Sequence, residues 1–379
     1  MIEILLISSL ALWLVILFLP WQPCRTTERW DVTVPVSGEE DLSGVTVLIP
    51  ARNEEKVIEK TLKAVLKQGV NHRIIVIDDN STDRTAEISM EILQDRGEVI
   101  TGGERPHGWT GKLWALEQGL QQVQSPVMML IDADIHLKRG VISGLLHRLN
   151  TEEYSFLSLM AKPSLRGFWE RLLMPAFVYF FKLLYPFKIS NSKNNIVAAA
   201  AGGCVLTKTD VLKKIGGFES LKGALIDDCT LARRVKEKGF RTWLGLTRSA
   251  KSIRPYSGLQ EIWDMVARTA FTQLRHSIAL LLVCTIIMIL AYWIPVAGLL
   301  LSIFDGNSAM FNMSMLAYGI LSITILPVLR FYKVSPAYAL LLPFTGTLFL
   351  LMTWTSALRY WRGERMRWRG RLVTENEPV

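Results

Sequence analysis

Residues 277–304, 310–329 and 336–358 contain no charged side chain. Each run reaches the ~20 residues that a helix needs to cross a bilayer. Three membrane-spanning helices are therefore expected, rather than three buried core helices. Asp305, Gly306 and Asn307 separate the first two runs, and Arg330 and Lys333 lie between the last two. Trp293, Tyr332, Trp354 and Trp361 fall near the expected interfaces, where aromatic side chains belt a membrane. The first twenty residues are also apolar, with Glu3 their single charge. They have no basic start, and Pro20 and Trp21 stand where small residues would mark a cleavage site. They read as an uncleaved anchor rather than a signal peptide.

The expected organisation is an anchor over 1–21, a soluble block over 22–276, a membrane region over 277–358 and an arginine-rich tail over 359–379. Glu3 lies on one side of the anchor and Arg25 and Arg29 on the other, which puts the soluble block in the cytoplasm by the positive-inside rule. Four simple crossings would then carry Arg359, Arg362, Arg365, Arg367, Arg369 and Arg371 to the far side. One run is therefore expected to be re-entrant or to cross twice: first 277–304, broken at Pro295, and second 336–358, with Pro343. The formal net charge is +9. The terminal arginines assign that surplus to a membrane surface, with no nucleic acid partner expected. The 4 cysteines are scattered without a C-x-x-C pair, against a disulfide scaffold or a cysteine-rich zinc site. A mean hydropathy of +0.26 excludes wholesale disorder.

The soluble block alternates strand and helix signals. Residues 45–49, 74–77 and 127–131 are short apolar runs that read as buried strands, and Val99 and Ile100 mark a short further one. Helical spacing covers 54–68, where Val57, Ile58, Leu62, Val65 and Leu66 share a side, and recurs over 114–123 and 139–149. Ser81 to Glu87 gives a helix-start signal with Asp83 as a cap. Strands alternating with helices through short connections predict an α/β domain with a mainly parallel sheet. Ligands of such sheets bind beyond the carboxyl ends of the strands.

Polar residues follow each of those ends: Pro50, Ala51, Arg52, Asn53 and Glu54 after the first, Asp78 and Asp79 after the second, Asp132 and Asp134 after the fourth. Two carboxylates two residues apart at a strand end can share one hard divalent cation, Mg²⁺ or Mn²⁺, which takes oxygen ligands and substrate phosphates. Taken alone, most such pairs are solvated turns; this one directly follows five apolar residues. Together the three sets form a nucleotide pocket. His136 could add a ligand, although hard ions prefer oxygen. Gly202 and Gly203 follow four alanines, and small residues there either let backbone approach a sugar or simply pack tightly.

Five pieces, in order, resemble the membrane-bound family 2 glycosyltransferases, which have a GT-A fold. They are residues 47–54 (VLIPARNE), 75–83 (IVIDDNSTD), 111–120 (GKLWALEQGL), Asp132-Ala133-Asp134 and 226–233 (IDDCTLAR). The resemblance covers about residues 44–276, and the flanking apolar helices suit it. Residues 105–112 (RPHGWTGK) and 272–276 (TQLRH) are similar to the hopanoid-associated subgroup. The fold class implied is α/β, a nucleotide-diphospho-sugar transferase domain of Rossmann-like type joined to transmembrane helices.

The resemblance also implies roles. Pro50, Ala51, Arg52 and Glu54 line the base and ribose, and Asp78 and Asp79 bind the base, with Asp79 preferred. Lys112 reaches the donor diphosphate. Asp132 and Asp134 hold the metal. Asp227 and Asp228 stand where the family keeps its catalytic acids, with Asp228 as the base that takes the acceptor's proton. Their alternative reading is an N-terminal cap for the helix that follows. The family's processive polymerases carry a Q-x-x-R-W box; here Gln273 is present but Ser277 stands in the tryptophan position. That departure favours transfer of a single sugar, with Gln273 and Arg275 still able to reach the diphosphate. Residues 172–187, interrupted by Pro175 and Pro186, read as an interfacial helix or as a core helix beneath the site.

The expected function is an inverting, metal-dependent transferase in a bacterial inner or plasma membrane. It moves one sugar from a nucleotide-sugar, UDP-linked, to a membrane lipid hydroxyl such as a hopanoid. The alternatives are transfer to a polyprenyl phosphate and a non-catalytic membrane scaffold.

Overall fold

The computed structural model describes residues 2–33, 40–224 and 226–364, and the backbone of Arg367–Trp368 and Arg371–Leu372. Arg365 and Arg369 of the expected tail lie outside the described residues. Internal contacts divide the chain into two compact units. The first comprises Met1–Thr27, Leu165–Lys188 and Tyr256–Glu364; the second comprises Glu28–Ser164, Ile189–Pro255 and Arg365–Val379.

The second unit is built on an eight-stranded mixed sheet. Strands β1 (Val45–Ala51), β2 (Arg73–Asp78), β3 (Gly97–Thr101) and β4 (Val127–Ile131) are parallel and run in the order β3, β2, β1, β4. The remaining strands are β5 (Ile135–Leu137), β6 (Phe156–Lys162), β7 (Cys204–Lys208) and β8 (Thr242–Ser252). β7 lies antiparallel beside β4, β6 antiparallel to β7, β8 parallel to β6, and β5 antiparallel to β8. The parallel half matches the local signals. The mixed half carried none, because its partners come from distant sequence.

β1 is buried along its whole length, as a strand covered on both faces must be, and so reads as a continuous apolar run. Its side chains alternate between two cores. Val47 and Ile49 pack with Ile58, Leu62 and Val65 of the helix Ile58–Leu66, while Leu48 packs with Leu113, Leu116 and Leu120 of the helix Gly111–Gln121. The first helix starts later than its spacing predicts. Residues 54 and 55 are held out of it by hydrogen bonds from Glu54 N to Thr85 Oγ1 (2.7 Å) and from Glu55 N to Asp83 Oδ2 (3.2 Å). β2 flanks β1 on one side and β4 on the other. The carboxyl ends of β1 and β4 therefore frame the crevice where such sheets bind ligands.

The first unit holds three helices long and apolar enough to cross a membrane, over Ile278–Asp305, Ser308–Tyr332 and Pro336–Trp361. A shorter apolar helix, Ile2–Phe18, packs among them. Their surfaces expose large apolar side chains such as Ile286, Ile303, Phe304, Leu316 and Ile323, which suits lipid. Small residues let the helices approach: a Cβ on Gly298 would lie 2.3 Å from Ser314 Oγ and 2.8 Å from Leu6 Cδ2.

The run Ile278–Asp305 does not reverse at Pro295. It stays helical throughout, with a π-turn over Ile289–Trp293. Pro295 has no N–H to donate to the carbonyl four residues before it. The indole Nε1–H of the buried Trp13 donates to that carbonyl, Ala291 O, at 2.8 Å. Pro343 sits in the first turn of Leu342–Trp361 and interrupts nothing, because first-turn N–H groups have no helical partner to lose. Likewise Phe168–Leu184 runs through Pro175. It is held by the Tyr179 hydroxyl against Thr324 Oγ1 (2.8 Å) and by ring contacts of Phe180 with Tyr292 and Phe349.

Candidate active site

Each strand end in the crevice turns its polar residues into a fixed frame. After β1, Arg52 Nη1 donates to the carbonyls of Asp79 and Asn80, and it lies 3.7 Å from Asp79 Oδ2. Asn53 takes a left-handed φ of 53°, and its side chain accepts from Thr82 N at 2.9 Å. After β2, both oxygens of Asp78 face Ser81 N, the nearer at 3.1 Å. Asp78 and Asp79 are both buried. Asp83 Oδ1 accepts from Thr85 N at 3.0 Å, at the head of the helix Thr85–Leu93. Asp83 thus holds the first residue of that helix from just outside its cap residue, Arg84, rather than as the cap itself.

β4 delivers Asp132 and Asp134. Asp132 Oδ1 meets Lys112 Nζ at 2.6 Å, and both side chains keep some exposure, 35% and 21%. Lys112 is the second residue of its helix, whose Thr110 cap accepts from Leu113 N at 3.2 Å. Burial works against the lysine's charge. Asp132, Asp227 and Asp228 outweigh it and hold the ammonium above the ordinary lysine range. Asp134 Oδ2 accepts from Ser252 Oγ at 2.6 Å, and Ile253 N donates to Asp134 O at 2.9 Å. Burial and the neighbouring Asp132 push the Asp134 carboxyl up, against Arg254 and Ser252.

The next residue, Arg254, pairs with the buried Glu54. Burial pushes Glu54 up to about 7 despite that guanidinium, and Asp134 and Asp132 add to the rise. Three consecutive residues at the end of β8 thus grip the acids at the ends of β1 and β4. Sequence reasoning missed Ser252 and Arg254. Their partners lie 118 and 200 residues away, so no local pattern marks them.

Asp228 comes from the first turn of the helix Asp227–Glu237, where the helix dipole favours a carboxylate. Its Oδ1 accepts from Cys229 N (2.8 Å) and its Oδ2 from Gly202 N (3.0 Å). The helix is capped at Ile226 without a side-chain bond, so Asp228 lies inside the first turn and does not make the cap that its motif also suggests. Burial and the adjacent Asp227 push the Asp228 carboxyl up to about 6, while Cys229 N–H, Lys112 and Gly202 N–H hold it back. A cavity of about 20 Å³ beside it is walled by Leu113, Phe156, Val205 and Phe218, which accounts for the poor solvation.

Lys112, Asp132, Gly202, Gly203, Asp227 and Asp228 are thereby brought together, with Glu54 and Asp134 alongside. Gln273 and Arg275 belong to the first unit. There Gln273 Oε1 accepts from the Tyr185 hydroxyl, and Arg275 adopts a left-handed φ of 52°.

Among the described residues no cluster of three or more His, Cys, Asp or Glu side chains forms a closed metal site. The donor set still suits a hard cation. Asp132 and Asp134 offer oxygen only, and burial and Asp132 disfavour the charge of Asp134, a cost that a divalent ion relieves. Such an ion needs few protein ligands when phosphate oxygens complete its shell.

Comparison with known proteins agrees with this layout. A chain from Pyrobaculum calidifontis, the mannosyltransferase PcManGT solved with GDP-Man and Mn²⁺, is similar at a TM-score of 0.55 and 16% identity, over 96% of this chain and 100% of that one. That likeness shows the fold, which is GT-A-like. The 4,4'-diaponeurosporenoate glycosyltransferase of Staphylococcus haemolyticus is 38% identical over 98 residues, 26% of each chain. A Staphylococcus aureus counterpart is 30% identical over 128 residues, 33% of this chain and 34% of the other. The chain thus spans about a quarter to a third of the length of these relatives. Residues 46–216 match the family model described as Glycosyl transferase family 2, a segment that holds the strand-end acids described above.

Proposed function

We propose that this protein transfers a single sugar from a nucleotide-sugar, UDP-linked, to the hydroxyl of a membrane lipid, with inversion at the anomeric carbon. The observation that carries the reading is the meeting of Lys112, Asp132 and Asp228 at the carboxyl edge of the sheet, beside the gap between β1 and β4. Ala51, Arg52, Asp78 and Asp79 form the frame for the nucleoside, Asp79 being the carboxylate offered to the base. The Lys112 ammonium faces the diphosphate and offsets its charge. Asp228 takes the proton of the acceptor hydroxyl as its oxygen attacks the anomeric carbon. The bond from that carbon to the diphosphate breaks, and the nucleoside diphosphate leaves. Attack by the acceptor on the face opposite the leaving group inverts the configuration. Mg²⁺ or Mn²⁺ would be held by Asp132 and Asp134 and would supply positive charge to the departing diphosphate. A hopanoid is the acceptor suggested by the resemblance of residues 105–112 and 272–276.

The relatives favour a second acceptor class. They are named for 4,4'-diaponeurosporenoate, the anion of a lipid-like acid. A carboxylate, like a polyprenyl phosphate, is anionic before it attacks and needs no strong base. Asp228→Asn separates the two: it abolishes transfer to a hydroxyl and leaves substantial transfer to an anion.

The donor is tested by melting the full-length protein in detergent with a panel of nucleotide-sugars, with and without Mn²⁺. A ligand that binds only the folded state raises the melting temperature. One nucleotide-sugar giving a Mn²⁺-dependent rise supports the reading. A cooperative melt that no donor shifts would favour the scaffold alternative.

A further inference from the structure

Gly202 and Gly203 join the two acids on which the proposed reaction depends. Gly202 N–H donates to Asp228 Oδ2 at 3.0 Å. One residue on, the Gly203 carbonyl accepts from Asp132 N–H at 3.1 Å. Both bonds are main-chain bonds on the glycine side, and any residue type but proline could make them. Neither glycine has a positive φ, so the backbone freedom of glycine is not what the site uses.

What it uses is the missing side chain. A Cβ on Gly202 would lie 3.2 Å from Asp228 Cβ and 3.5 Å from Lys112 Nζ. A Cβ on Gly203 would lie 3.3 Å from Asp132 Oδ2. Contacts of 3.2–3.3 Å make the neighbour move in a close-packed interior. The first intrusion falls on Asp228 and the second on Asp132. The dipeptide is itself anchored, since Cys204 immediately after it pairs with Ile131 immediately before Asp132.

We propose that Gly202–Gly203 is a bracket that sets the two acids separately, Gly202 governing Asp228 and Gly203 governing Asp132. Both are positioning residues, distinct from the sugar contact that small residues in this place first suggest. The inference rests on the roles given above to Asp132 and Asp228.

The test compares Gly202→Ala, Gly203→Ala and Asp228→Asn in the full-length protein in detergent. Binding of UDP with Mn²⁺ is read by calorimetry. Turnover is read as nucleotide release from the donor found by the melting screen, with membrane lipid extract as acceptor. Gly202→Ala is expected to lower kcat about a hundredfold, the scale of one displaced general base, and to leave the Kd for UDP with Mn²⁺ within about twofold. Gly203→Ala is expected to weaken that Kd about tenfold or more, a loss near 1.4 kcal/mol. A raised donor KM with unchanged kcat in Gly202→Ala would make it a sugar contact and overturn the bracket. So would equal binding losses in the two variants. If Gly202→Ala melts early, binding below its melting temperature decides: retained binding with lost turnover supports the bracket, and joint loss contradicts it. Asp228→Asn keeps the two claims apart. Full turnover there defeats the base role itself, whereas lost turnover there with normal turnover in Gly202→Ala defeats only the bracket.

Discussion

Lys112 Nζ sits 2.6 Å from Asp132 Oδ1 and is also held by the charges of Asp227 and Asp228. One ammonium therefore serves acids from two elements, the end of β4 and the head of the helix Asp227–Glu237. Removing it leaves these acids to repel one another. Lys112→Met is expected to lower turnover by about tenfold or more, through lost compensation of the diphosphate charge. It should also move the acidic limb of the kcat/KM profile to higher pH, because Lys112 now holds the Asp228 carboxyl down. A pH–rate series on the variant and its parent checks both.

The parent itself should show a pH limb set by Asp228. A base works only when ionised, and this carboxyl is pushed up to about 6. For hydroxyl transfer, kcat/KM rises with pH through about 6 and levels above it, since that parameter reports the free enzyme. An anionic acceptor with no need of a base removes the Asp228 limb. Measuring kcat/KM from pH 5 to 8 separates the cases.

The buried Glu54 pairs with the part-buried Arg254, and loss of the pair should be asymmetric. Arg254→Gln strips the guanidinium from a buried carboxylate, at a cost of about 3 kcal/mol. Glu54 takes up a proton more readily in response, since Arg254 opposes the rise caused by its burial. The double variant Glu54→Gln with Arg254→Gln removes both charges and should regain most of the stability. Chemical unfolding of the two single variants and the double gives the coupling directly.

In the first unit, Trp13 supplies the donor that Pro295 withholds from Ala291 O. Trp13→Phe should destabilise the protein in detergent by about 1 kcal/mol, the scale of an interhelical hydrogen bond in a membrane bundle. Pro295→Ala restores a helical donor to that carbonyl, so Trp13→Phe should cost less in that background. Thermal unfolding of the four-member cycle measures the difference.

The parallel strands and their acids were legible because each signal is local: an apolar run of about five residues, then Asp or Glu. Asp132, Asp134, Asp78 and Asp79 follow such runs. Asp228 was legible through its motif, although that motif also reads as a helix cap; the structure places it in the first turn of its helix, with Ile226 as the cap and no side-chain cap bond. What could not be read was set by distant pairing. β7 enters antiparallel beside β4, and only that pairing explains why Gly203 meets Asp132. Ser252 ends, and Arg254 follows, a strand whose partners are β5 and β6, and nothing near them in sequence announces their hold on Asp134 and Glu54. In the membrane region the prolines misled for a similar reason. Pro295 alone looks like a break, and the indole that compensates it arrives from a helix near the start of the chain.

The central claim is most directly tested by product formation. Membranes containing the full-length protein would be incubated with the nucleotide-sugar panel and Mn²⁺, and lipid extracts examined by mass spectrometry for one added hexose mass. Parallel membranes would carry the Asp132→Ala, Asp228→Ala double variant, first shown to melt cooperatively. A glycosylated lipid formed with one donor by the parent and absent with the double variant is the predicted result. No product with any donor, or the same product from the double variant, would contradict the account.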